Sequence, residues 1–76
     1  MKIPTLSPWA KSALTPREYR ILRDLPQPGY LNLTAHGPRG GYVALYSNGG
    51  PSARAEHPSS PFIAAERAIE KGVAHE

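Results

Sequence analysis

Turn-forming residues cut this chain into pieces too short for any large architecture. Nine prolines and seven glycines fall among 76 residues. Pro26, Pro28 and Gly29 form one break, His36-Gly37-Pro38-Arg39-Gly40-Gly41 a second, and Asn48-Gly49-Gly50-Pro51 a third. Proline removes a backbone donor and fixes φ, and glycine opens conformations closed to other residues, so such clusters end helices and strands. The segments between them must each be one short element. A chain of this length makes one domain, and it buries only about 60% of the surface its unfolded form exposes.

The first segment carries a helix start. Thr15 stands as N-cap, Pro16 as first residue and Glu18 as third, which is a capping box. Leu14 and Tyr19 stand where a hydrophobic staple closes. Tyr19, Ile21, Leu22 and Leu25 make the apolar side, and Arg17, Arg20, Arg23 and Asp24 face water. Residues 30–35 and 42–46 alternate as strands, and residues 53–57 form a weaker third. A second helix begins after Ser60, with Pro61 first. Phe62, Ala65, Ile69 and Val73 form its stripe, Ala68 lies beside them, and Gly72 stands at the C′ position.

The expected fold class is α+β: a three-stranded antiparallel meander with two helices on one face, in the order α-β-β-β-α. Residues 1–14 form an extended N-terminal tail, and residues 15–76 a single α+β domain. Ile3, Leu6 and Trp9 in the tail are costly to leave in water, so the tail is expected to fold back over the domain. A pairing of Leu33 with Leu45 and of Val43 with Ala55 puts Leu31, Leu33, Ala35, Val43, Leu45, Ala53 and Ala55 inside. It leaves Tyr30, Asn32, Thr34, Tyr42, Ala44, Tyr46, Arg54 and Glu56 on the outer face. A one-residue slip would reverse every one of these assignments.

The net charge of +3 is uneven. Residues 1–29 hold five basic and two acidic side chains, whereas residues 61–76 hold two basic and three acidic ones. A basic front half suits an acidic partner, either nucleic acid or an acidic protein face. There is no cysteine, which fits a reducing compartment. The apolar runs are too short to span a bilayer, and Pro4 and Pro8 interrupt a leader-like stretch. A cytoplasmic chain with no membrane contact is the expectation.

No catalytic pattern emerges. His36, His57 and His75 have no metal-site spacing, Ser60 is accounted for as a helix cap, and the acids fall on solvent faces. Gly37 to Gly41 lacks the phosphate-loop pattern and precedes a strand. No enzyme and no cofactor or metal are expected. The candidate partner-binding residues are Tyr30, Tyr42, Tyr46 and Arg54 on the outer face, with Arg39 on the adjoining loop. Tyrosine and arginine are enriched at binding hot spots and stack on bases. Trp9 and the Arg17, Arg20 and Arg23 helix face are the secondary candidates. A two-fold homodimer would bury the same sheet face equally well.

Two resemblances follow. Phe62 to Gly72, with its proline start and Ala64-Ala65-x-x-Ala68-Ile69 core, resembles the last helix of small phage- or prophage-encoded accessory proteins, including anti-CRISPR-type inhibitors. That resemblance implies a binding protein that occupies a functional surface of a host protein. The order α-β-β-β-α, Gly37-Pro38 in the first hairpin loop, and Ala64 to Ile69 are similar to the double-stranded RNA-binding domain. This one implies a nucleic-acid-binding module contacting a minor groove through the helix that carries Glu18. The chain departs from that family at Pro61-Phe62-Ile63, where the family carries phosphate-gripping lysines.

Overall fold

The computed structural model describes residues 3, 12–26, 28–35 and 40–74. From residue 16 to residue 74 five described elements follow one another: α1 (Pro16–Arg23), β1 (Tyr30–Ala35), β2 (Tyr42–Ser47), β3 (Ala53–His57) and α2 (Pro61–Ala74). The strands form one antiparallel sheet in the order β1-β2-β3, so the α+β meander is present.

α1 starts as its residues dictate. The Thr15 hydroxyl accepts from the Glu18 N–H at 3.1 Å, and the Glu18 carboxylate accepts from the Thr15 N–H at 3.0 Å. Both ends of the capping box are made. The helix closes at Arg23, with Asp24 as C-cap donating its N–H to the Arg20 carbonyl. This is two residues earlier than the apolar pattern to Leu25 suggests, because Pro26 disfavours helical geometry in the residue before it. Leu22 is fully buried, whereas Ile21 on the flank is 42% exposed.

The entry to α2 is held from two sides. Ser60 Oγ accepts from the Ile63 N–H at 3.2 Å, the expected cap. His57 Nδ1 accepts from the N–H groups of Ser59 and Ser60 at 3.2 and 2.8 Å. The imidazole thus acts as an Asx-like acceptor that turns the end of β3 into the helix.

The register is shifted by one residue from the sequence expectation. Leu33 faces Ala44 and Leu31 faces Tyr46, while Ala44 faces Ala55 and Tyr46 faces Ala53. The inner face therefore carries Leu31, Leu33, Tyr42, Ala44, Tyr46 and Ala55, and Val43 and Leu45 turn outward. The cause lies in α2. Its buried stripe is Ala64, Ala65, Ala68 and Ile69, rotated from the expected Phe62-to-Val73 line, and Val73 is 41% exposed. Ala64, Ala68 and Gly72 recur every four residues and leave a shallow channel on the face turned to the sheet. A large side chain from β2 has to fill it, and Tyr46 does so at 2% exposure.

Two glycines make room for that ring. A Cβ at Gly72 would lie 2.3 Å from Tyr46 Cδ2, and one at Gly29 would lie 2.6 Å from the Ser47 carbonyl and 3.0 Å from Tyr46 Cε1. Gly29 also has φ +126°, which other residues rarely adopt. The phenol donates to the Pro28 carbonyl at 2.5 Å. Gly72 is thus a packing position inside the helix and not its C′ residue. Leu14 completes the core from before α1, and Ile3 packs against it, so part of the 1–14 segment lies on the domain.

Candidate functional site

α2 lies over β2 and β3, and Leu22 of α1 joins the same core from the same side. The opposite sheet face carries no described element. Its residues follow from the pairing in three cross-strand rows. Tyr30 stands beside Ser47, Asn32 beside Leu45 beside Arg54, and Thr34 beside Val43 beside Glu56.

The surface is mixed. Tyr30 is 56% and Leu45 37% exposed, and Val43 is half-buried between its neighbours. Arg54 and Glu56, two apart on β3, form an exposed ion pair at 2.7 Å. Such a pair contributes about 0–1 kcal/mol, so it adds little to the stability of the strand. The backbone of β3 is also engaged: Lys71 Nζ of α2 donates to the Arg54 carbonyl at 3.0 Å. A lysine on an edge carbonyl blunts the strand against further pairing. A cleft of about 550 Å³ between Pro51 and Gly72 borders this edge.

Of the expected site residues that are described, only Tyr30 and Arg54 lie on this face. Tyr46 is in the core, and Tyr42 is half-buried on the inner face and packed against the core. Both corrections follow from the register, since the Tyr-Val-Ala-Leu-Tyr run of β2 is apolar on either parity. Leu45, expected in the core, is its outward counterpart. Arg39 and Trp9 lie outside the described residues, as do His36 and His75. Arg17, Arg20 and Arg23 are exposed on α1, remote from the sheet face in the helical layer. Arg23 is engaged by Asp24 at 3.0 Å. That hydrogen bond holds the Asp24 carboxyl below the usual carboxylate range and raises the Arg23 guanidinium further.

Val43 and Leu45 are the contributors that the strand alternation misplaced. The small residues at 64, 68 and 72 were the available signal, because they require bulk from the facing strand. Among the described residues no group of three or more histidines, aspartates or glutamates is placed to hold a metal ion. Among them, too, no helix is long and apolar enough to cross a membrane. No protein-family model, no curated protein and no solved structure matches the chain.

Proposed function

We propose that this chain is a non-enzymatic binding protein, a small phage-type inhibitor acting in the cytoplasm, which covers a functional surface of a host protein with the open face of its sheet. One observation carries the reading: both helices pack on one side of the sheet, and the other side presents Tyr30, Val43 and Leu45 beside Arg54 and Glu56. A sheet with one face in water normally turns polar side chains there. Here the middle of that face is aliphatic, with an aromatic ring at one corner and charges of both signs at the other. Amphipathic aromatics, aliphatic centres and a charged rim are the composition of protein interfaces.

The charge balance favours protein over nucleic acid at this face. Arg54 is offset by Glu56, so the face offers no phosphate-neutralising field. The test is capture of partners from a nuclease-treated bacterial lysate, followed by affinity measurement with the purified partner. The Tyr30→Ala/Leu45→Ala variant should melt cooperatively, as neither side chain is core, and bind at least about tenfold more weakly. Unchanged affinity would move the site elsewhere. A wild-type chain that dimerises reversibly, and a variant that does not, would assign the face to a second copy.

A nucleic-acid reading has one specific support. α1 turns Arg17 and Arg20 to solvent in a molecule whose element order resembles the double-stranded RNA-binding domain. It requires duplex binding whose log affinity falls with log salt by about 0.9 per phosphate contacted.

A further inference from the structure

The two helices meet along a groove in the helical layer, opposite the open sheet face. Its floor is Ile21 and Leu22 of α1, Leu25 just past its end, and Phe62 and Ile69 of α2, and its rim on α2 is Glu66 and Glu70.

Apolar surface is left open along it. Ile21 is 42% exposed, and Val73, 41% exposed, continues the α2 edge set by Phe62, Glu66 and Ile69. These are two of the four large apolar side chains that the described structure leaves exposed; the other two, Tyr30 and Leu45, belong to the sheet face. The cavity is about 160 Å³. That is well below the ~300–1,000 Å³ of a small-molecule site. It has room for one large side chain.

Charge completes the description. Glu66 and Glu70 stand one turn apart on the same edge, a spacing at which like charges repel. Neither joins an ion pair among the described residues. Of the two cations of α2, Lys71 is held on the Arg54 carbonyl, and Arg67 does not line the groove. A chain of net charge +3 thus has an acidic edge on the α2 side of an apolar notch.

We infer that this groove docks a basic amphipathic segment of a partner protein. One aliphatic or aromatic side chain of that segment enters between α1 and α2, and lysines or arginines on either side of it meet Glu66 and Glu70. The surface is separate from the sheet face and does not depend on it.

The test is a titration of isotope-labelled protein, followed by amide chemical shifts. The probe is a leucine/lysine amphipathic peptide of about 18 residues, long enough to be helical in water. A leucine/glutamate peptide of the same length is the control. The leucine/lysine peptide should saturate and shift the amides of residues 21–25 and 62–70, and the control should not. Glu66→Gln/Glu70→Gln, which removes the repulsion without touching the core, should weaken binding at least tenfold, and so should Ile21→Ser. Absence of saturable shifts would overturn the assignment. So would shifts centred on residues 43–47 and 54–56, or equal affinity of the Glu66→Gln/Glu70→Gln variant.

Discussion

Tyr46 decides which way the sheet faces, and its partners make that claim measurable. Its ring sits against Gly72, and its hydroxyl is tied to the Pro28 carbonyl. By helix propensity alone, Gly72→Ala should stabilise α2 by about 1 kcal/mol. The new methyl would stand 2.3 Å from an aromatic carbon that is hemmed in by Gly29 and pinned at its far end. The ring has nowhere to retreat, so overpacking wins and the variant should lose about 1–3 kcal/mol in urea unfolding. Tyr46→Leu frees the space at its own cost. In that background Gly72→Ala should be neutral or stabilising, a positive coupling in the double-mutant cycle. An equal gain from Gly72→Ala in both backgrounds would mean that the ring lies elsewhere and that the register is wrong.

At the scale of elements, the boundaries could be read from single residues but the facing could not. Thr15, Pro16 and Glu18 specify the start of α1 through local hydrogen bonds that need no tertiary context. Ser60 and Pro61 do the same for α2. Thr15 is exposed and packs nothing, so Thr15→Ala should cost only the cap, about 1 kcal/mol. The facing of β2 is a tertiary question, because either parity of Tyr42 to Tyr46 presents apolar residues. It was resolved by volume: the alanines of α2 leave space that Val43 and Leu45 could not fill and the tyrosines can. The same shift moved Tyr42 and Tyr46 out of the expected site and brought Val43 and Leu45 in. A pair of truncations separates the two registers. Leu33→Ala, at a fully buried position, should cost about 2–5 kcal/mol. Leu45→Ala, at 37% exposure, should cost under about 1 kcal/mol. Similar large losses for both would restore Leu45 to the core.

At the scale of the whole molecule, the radius of gyration of 11.3 Å is close to the roughly 11.4 Å expected for a compact chain of this length. The shortest extent is 17 Å, enough for one sheet and one helical layer. Five of the eleven described core residues are alanines, so the layers approach closely around few large side chains. That thinness explains why both surfaces keep aliphatic groups in water, since the core has no depth in which to hide them. It also fixes their relation: the sheet face and the groove between α1 and α2 lie on opposite sides of one packed core. Coupling between two sites requires that each ligand favour a different arrangement of something between them. Tyr46, held by Gly29, Gly72 and Pro28, offers one arrangement. The two surfaces should therefore bind independently. With the sheet-face partner saturating, the leucine/lysine peptide should keep its affinity within about threefold, a free-energy coupling of about 0.65 kcal/mol or less. A ternary complex should be visible by sedimentation. Mutual exclusion of the two ligands would place them on one surface, and a coupling of tenfold or more would show that the core has a second packing.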